Sequence, residues 1–421
     1  MSDVFEREVN PENIKRARMV VCIPSYREAD SIAYPVSQAD EGLTKYFSEY
    51  ESVIINCDNN SPDDTKKAFL ETPTKTPKIY LSTEPGVKGK GNNFRNLFQK
   101  VSDLKAKAVV VVDADLKSIT PEWIKHLGDP LFNGFSYVAP LYIRHKYDGT
   151  ITKSIAYPIT RALYGRRVRQ PIGGDFGFSG KLNQVYLSST IWDESVANFG
   201  IDIWMTTLAI SQKMKICQAF MGRPKIHRTK DPGADLGPMF REVVGTIFSM
   251  MGQFEPFWAK VKNSRPTAIY GFGLGEVEMP PKVGVNRENL IDQFHRGFET
   301  HSGIWQEILT PDAYRKLLEI KGMTIREFNF PTDLWARILF DTAASYGRVS
   351  IDTDQIMDSL IPLYFGRTLS FVRRTEKMSI KQAEEAIEED CTTFERTKPY
   401  LLKRWKETSK AFHLDTNLPL F

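Results

Sequence analysis

The chain has no long apolar run. No stretch of about 18 consecutive apolar residues occurs in it, so no integral membrane segment is expected. Its opening, MSDVFEREVNPENIKRARM, is charged and lacks an apolar core, so no secretory signal is expected. Cysteine is scarce: four in 421 residues, Cys22, Cys57, Cys217 and Cys391, with no CxxC pair. These read as buried free thiols, which fits a reducing cytoplasm. Charge of one sign is not in excess either; the formal net charge is +4. Nucleic-acid binding needs a clustered basic face, so no nucleic-acid partner is expected. Internal repeats and low-complexity segments are absent.

What is present is an alternation. RMVVCIPSY, YESVIINCDNN, PKIYLSTEPG, AKAVVVVDAD and GFSYVAPLYIR are short apolar runs closed by polar turns, and they read as strands. Helix-like stretches separate them. The first, EADSIAYPVSQADEGLTKYF, is interrupted by Pro35, and TPEWIKHLGDPLF places Thr120 at the N-cap and Pro121 at the first helical position. The alternation predicts an α/β fold, a mostly parallel sheet with helices on both faces. Residues 1–238 are expected to form this domain. Residues 239–421, where the pattern turns helical, are expected to form a helical extension. Ligands bind beyond the carboxyl ends of such sheets. Ser25–Glu28, Asp58–Asp64, Gly89–Asn93 and Asp113–Asp115 all sit at strand ends, which predicts one site.

VVVVDADLKSIT drives a valine strand into Asp113 and Asp115, two acids one residue apart. Beyond a strand end one carboxylate can face a ligand while the other orients it. Hard divalent cations such as Mg²⁺ or Mn²⁺ take oxygen ligands and share them with phosphates. Asp-x-Asp here suits a metal–diphosphate; a solvated turn or helix cap is the alternative. In VKGKGNNF, Lys90 lies between two glycines. The glycines are read as allowing close backbone approach to a ligand, and the lysine as a point charge for phosphate, although the spacing is not that of a P-loop. His227 by itself reads as a surface or core histidine, Asp202 as a helix cap, and Trp123 as core.

The order IPSYRE, DNNSPDDT, GKG, DAD is similar to the nucleotide-sugar-binding half of the GT-A glycosyltransferases. RQPIGGDFGFSG, FGIDIWMTTLA and KIHR narrow the likeness: they resemble the retaining enzymes that make mannosylglycerate, glucosylglycerate and glucosyl-3-phosphoglycerate. Those families show Gln-Pro-Leu-Gly-Gly-Glu, Tyr/Trp-Gly-Ile/Val-Asp/Glu and a late His in the same order. The match runs from Met19 to Arg228. The resemblance implies that Pro24, Tyr26 and Glu28, with Asp58 and Asn60, bind the nucleoside. It implies that Lys90 contacts the nucleotide, that Asp113 supports ribose and metal, and that Asp115 and His227 ligate the divalent ion. Gly173 and Gly174 fall in the turn beside the sugar, and Asp202 is the acid that holds donor-sugar hydroxyls. Asp115, Asp202 and Lys90 form the catalytic set.

On the acceptor side, the loop DGTITKSIAYPITRALYGRRVRQ corresponds to the family's acceptor loop in position. Thr150, Thr152, Lys153 and Arg161 are the candidate partners of glycerate or 3-phosphoglycerate. The phosphoglycerate-using relatives carry an arginine where Thr150 stands, so free D-glycerate ranks slightly higher; Lys153, Arg144 or Arg161 could stand in. The activity implied is retaining, metal-dependent transfer of a hexosyl group from a nucleoside-diphosphate sugar to the 2-hydroxyl of such an acceptor, for compatible-solute synthesis. A homodimer is the family-based expectation for assembly. The rivals are a sugar nucleotidyltransferase, whose glycine- and arginine-rich signature is missing from IPSYREADS; a transferase acting on a lipid or polysaccharide; and a carbohydrate-binding scaffold without turnover.

Overall fold

Apolar runs too short for helices pair as strands, and the amphipathic stretches between them cover both faces of the resulting sheet. The computed structural model describes residues 6–227, 232–271 and 278–416. In chain order come β1 (Glu8–Val9), β2 (Met19–Ser25), α1 (Ala33–Tyr46), β3 (Ser52–Asp58), α2 (Thr65–Glu71), β4 (Lys78–Ser82), α3 (Lys90–Asp103), β5 (Ala108–Val111), α4 (Pro121–Phe132) and β6 (Tyr137–Leu141). Strands Phe176–Ser179, Ile216–Phe220 and Ala268–Tyr270 complete a nine-stranded sheet. From one edge the order is β1, β4, β3, β2, β5, 176–179, β6, 216–220, 268–270. β4, β3, β2 and β5 run parallel. Residues 176–179 lie antiparallel between β5 and β6, and β6 is parallel to 216–220.

Every residue of β2 is buried, as a central strand covered on both faces must be. Met19, Val21 and Ile23 pack with Val36, Ala39 and Leu43 of α1 and with Ile124 and Leu127 of α4. A second helical layer forms from α3 and the helices Gly180–Ser188 and Ile201–Ser211. There the Phe98 ring lies 5.8 Å from Phe178 and 5.0 Å from Tyr186, which is 5.4 Å from Trp204. Trp123 is core, as expected, and its indole N–H donates to the Met221 carbonyl at 3.1 Å. Pro35 does not interrupt α1. It occupies the first turn, where a missing N–H costs no intrahelical bond.

This topology gathers chemistry at one sheet edge. Parallel strands end there, and the reversed strand 176–179 begins there. Gly173–Asp175 are thereby brought to the edge where Asp113 leaves β5, because Phe176 pairs with Val111.

The chain divides into two compact units, and the division does not follow a single cut at residue 238. The sheet unit comprises 1–144, 168–232 and 266–280; the second comprises 145–167, 233–265 and 281–421. Two local packings explain the difference. Ala268–Tyr270 extends the sheet beside Ile216–Phe220. Helix Tyr157–Tyr164 packs on the long helix Ile380–Thr416. In the second unit, helix Arg287–Ile308 also packs on Thr353–Thr375, and Thr332–Ser345 on Ile380–Thr416. All four cysteines are buried and none is in a disulfide. Among the described residues no helix is long and apolar enough to cross a membrane.

Candidate active site

Five charged side chains interlock at the carboxyl edge of the sheet. Lys90, the first residue of α3, puts its ammonium 3.1 Å from Asp113 Oδ1 and 3.3 Å from Asp202 Oδ1. Lys225, on the extension of strand 216–220, lies 2.6 Å from Asp113 Oδ2, 3.0 Å from Asp175 Oδ2 and 2.9 Å from the Gly173 carbonyl. Asp175 also accepts the Asp113 backbone N–H at 2.9 Å and the Tyr142 hydroxyl. Asp202 lies in the first turn of helix Ile201–Ser211, where the helix dipole favours a carboxylate. Gly200 takes the cap position, so Asp202 is not the cap.

The electrostatics follow from burial and pairing. Burial disfavours the Asp113 carboxylate, but Lys225 and Lys90 outweigh it and hold its pKa well below the usual range. Burial likewise disfavours the Lys90 ammonium, and Asp113 and Asp202 outweigh it, holding its pKa well above the ordinary lysine range. Burial wins at Asp175 and Asp202, whose pKa values are raised. Within the cluster three carboxylates face two ammonium groups.

The segments that carry Asp115 and His227 run side by side. Leu116 pairs antiparallel with His227, and Lys117 N–H donates to the Ile226 carbonyl at 2.8 Å. Bridged residues of antiparallel chains have their Cα atoms about 4.5–5.5 Å apart. His227 is thus set directly beside the DAD turn, although 112 positions separate it from Asp115. Asp115 is largely buried and His227 is exposed. Among the described residues no three His, Cys, Asp or Glu side chains form a closed metal site. Arg228, the last residue of the resemblance, lies outside the described residues.

The nucleoside pieces divide. Asp58 is fully buried and accepts four hydrogen bonds: from Ser25 Oγ, Ser61 Oγ and Ser61 N–H at 2.7 Å each, and from the Tyr80 hydroxyl at 2.9 Å. Its lone pairs are spent, so it shapes the 58–61 turn rather than meeting a base directly. Asn60 follows with φ +50° and lines an open groove of about 1070 Å³ with Ser61, Asp63, Tyr80 and Ser82. Tyr26 is flanked by Arg27 and Lys88, 5.3 and 5.4 Å from its ring centre. Glu28 is buried; it accepts from the Ser31 hydroxyl, and its N–H donates to Thr65 Oγ1 at 2.9 Å. Pro24 is buried within β2, in register with Cys57.

The GKG glycines serve a different end from the one expected. A side chain at Gly91 would overlap the Val196 carbonyl, and one at Gly89 would overlap Asn198 and the Ala197 carbonyl. Gly91 N–H donates to the Asn198 carbonyl at 3.1 Å. The glycines therefore seat the 196–198 turn on the start of α3, which brings Asp202 to Lys90. Gly174 packs against the charge cluster instead. Its φ is +85°, and a Cβ there would lie 2.6 Å from Lys225 Nζ and 2.7 Å from Asp113 Oδ2.

The acceptor residues Thr150, Thr152, Lys153 and Arg161 all belong to the second unit. Arg161 is withdrawn as a substrate ligand. Its guanidinium is ion-paired with Glu388 and with Glu395, the latter at 2.6 Å, and is almost fully buried. Lys153 donates to the His145 carbonyl at 2.6 Å, and Thr150 Oγ1 shares a hydrogen bond with the Tyr364 hydroxyl. Thr152 is buried at the start of a single turn of π-helix, Thr152–Ala156.

Lys225, Asp175 and Tyr142 were not assigned to the site by sequence reasoning. Lys225 stands two residues before His227, so an extended chain points both side chains the same way. That spacing was the available signal. Asp175 ends the Gln-Pro-Ile-Gly-Gly-Asp motif, which was its signal; Tyr142 carried none, because its partnership with Asp175 depends on strand 176–179 running in reverse beside β6.

Comparison with known proteins bears on this arrangement. Residues 20–188 match Glycosyl transferase family 2. No curated protein matches. Among solved structures, glucosyl-3-phosphoglycerate synthase from Mycobacterium tuberculosis with Mn²⁺, UDP and glucosyl-3-phosphoglycerate is 23% identical over 56% of this chain and 80% of its own, with a TM-score of 0.46. The same enzyme with Mg²⁺ and UDP gives the same values. A further mycobacterial protein is 24% identical over 56% of this chain and 75% of its own, with a TM-score of 0.45. The stretch that matches the Glycosyl transferase family 2 model carries Lys90, Asp113, Asp115 and the Gly173–Asp175 turn.

Proposed function

We propose that the protein is a retaining, metal-dependent glycosyltransferase that moves a hexosyl group from a nucleoside-diphosphate sugar to the 2-hydroxyl of D-glycerate or 3-phosphoglycerate. The observation that carries the reading is the charge cluster of Lys90, Lys225, Asp113, Asp175 and Asp202, beside the backbone bridge of Leu116 with His227 that sets His227 next to the Asp115 segment. Asp115 and His227 would hold Mg²⁺ or Mn²⁺. When bound, the ion supplies electrostatic stabilisation of charge developing on the leaving diphosphate. Lys90 adds a fixed positive charge on the same side, oriented by two carboxylates. Asp202 presents a carboxylate to the donor-sugar hydroxyls. Tyr26, Glu28 and Asn60 border the nucleoside. On the acceptor side Thr150, Thr152 and Lys153 remain the binding set.

Retention without a covalent intermediate is supported by the state of the nearby acids. Asp175 is fully buried and already bonded to Tyr142, Lys225 and the Asp113 N–H, so it is not positioned to attack a sugar carbon. Asp202 is tied to Lys90. The reading is therefore front-face transfer, with the leaving phosphate taking the acceptor's proton. A glycosyl adduct on either acid, found by mass spectrometry of quenched reactions, contradicts it.

The test crosses a panel of nucleotide sugars with D-glycerate and 3-phosphoglycerate, with and without Mg²⁺ or Mn²⁺, scored by released nucleoside diphosphate. Acceptor-dependent release, abolished by a chelator and by His227→Ala, is expected. No turnover of any donor sinks the proposal. Pyrophosphate formed from a sugar phosphate and a nucleoside triphosphate would instead mark a nucleotidyltransferase.

A further inference from the structure

The second unit holds a small pocket lined by Thr150, Lys153, Ser154, Arg367, Thr368 and Asp390. Arg367 comes from helix Thr353–Thr375 and its side chain is 5% exposed. Three of its donor contacts are internal: Nη1 to the Phe330 carbonyl at 2.8 Å, Nη2 to Thr332 Oγ1 at 2.9 Å and Nη2 to Asp390 Oδ2 at 2.7 Å. Its Nε–H is buried and has no partner. An unsatisfied guanidinium donor in a buried site is unfavourable and calls for an acceptor. Asp390 cannot serve, because it also accepts from Arg374 at 2.8 and 2.6 Å and from Thr332 at 2.7 Å.

Thr150 and Lys153 line the pocket from a helical segment. Here the backbone leaves the α-helical path for one π turn, Thr152–Ala156, and the Trp335 indole N–H pins the Ser154 carbonyl at 2.9 Å. Single π turns are frequent at functional sites. The free space is about 10 Å³, room for one oxygen-sized atom.

We infer that this pocket seats one oxygen of the acceptor's anionic group, a carboxylate or a phosphate, with Arg367 Nε as its anchoring donor and Thr150 and Lys153 at the rim. The inference deepens the proposed function and rests on it for the identity of the acceptor. Charge-assisted bonds from arginine suit both carboxylate and phosphate. Arg367 is a specificity-determining residue in this reading and takes no part in the bond exchange.

The experiment measures binding to the full chain by calorimetry without donor, using D-glycerate, 3-phosphoglycerate and inorganic phosphate as probes. Acceptor and donor KM are then measured with Arg367→Lys and Thr368→Val. The second variant is nearly isosteric and keeps the test alive if the first misfolds. At least tenfold weaker probe binding, with acceptor KM raised tenfold and donor KM changed less than twofold, is expected. Stronger binding of phosphate and 3-phosphoglycerate than of glycerate assigns the pocket to the phosphate; the reverse assigns it to the carboxylate. Unchanged probe binding in a folded variant overturns the inference, as does a crystal of the acceptor complex with only water against Arg367. Because binding is read without donor, absence of nucleotide-sugar turnover in the unaltered chain defeats the proposed function separately.

Discussion

Lys90→Met removes the one ammonium that serves two carboxylates from α3. In the folded state its Nζ lies 3.1 Å from Asp113 and 3.3 Å from Asp202. At an effective dielectric of about 20, each contact is worth about 5 kcal/mol of attraction, most of it offset by desolvation. The consequence of deletion is unequal. Asp113 keeps Lys225 at 2.6 Å, whereas Asp202 loses its ion-pair partner. Breaking a buried pair from one side costs about 3–5 kcal/mol, because a charge is left uncompensated. Asp202→Asn alone should cost only about 1 kcal/mol, since Lys90 still holds Asp113. In the double variant the orphaned charge is gone, so its loss should fall short of the sum by about 2 kcal/mol. Urea unfolding of the four proteins, followed by tryptophan emission, measures this coupling. A coupling under about 0.5 kcal/mol refutes the assignment of Lys90 as the cation of Asp202. The same single variant should lower donor turnover about 10²- to 10³-fold, in line with loss of a fixed donor at a developing oxyanion.

Gly91→Ala pushes a methyl into the Val196 carbonyl; a loss of about 1–3 kcal/mol and a lower melting temperature are expected, and an unchanged melting curve contradicts the seating role of GKG. Asp58→Asn faces the 58–61 turn with an amide where four donors converge, so at least two bonds are lost; urea unfolding should show about 1–3 kcal/mol of destabilisation. In the second unit, burial pushes the Lys398 ammonium, which donates to the Trp258 and Val261 carbonyls, down to about 8. Between that value and the ordinary lysine range the unfolded chain holds the extra proton. This group's contribution is therefore present above that range and lost as pH falls through about 8. The stability difference between the protein and Lys398→Met, read by thermal unfolding from pH 7 to 10, should rise with pH across that window; a flat difference refutes the assignment.

Much of the sheet could be read from the chain because period and punctuation were unambiguous. IPSYRE, NCDNN and DAD each end an apolar run with polar residues, and each proved to end a buried parallel strand. The same local signals misled where a residue's partner was remote. Gly89 and Gly91 looked like a ligand cradle, yet what approaches them is the 196–198 turn. Asp58 looked like a base contact, yet Ser61 and Tyr80 consume it. Arg161 looked like an anion ligand, yet Glu388 and Glu395 from a helix more than 200 residues on neutralise it.

By itself, the sequence determined which residues would reach strand ends, since alternating apolar periodicity fixes where a buried chain must stop and turn. It determined too that Asp113 and Asp115 would share such an end. Only tertiary structure decided what those acids meet. The reversal of 176–179, the antiparallel contact of Leu116 with His227, and the approach of Lys225 to Asp113 are all pairings between distant segments. The physical reason is that Coulomb and hydrogen-bond energies act over a few ångströms of space, and separation along the chain carries no information about that distance.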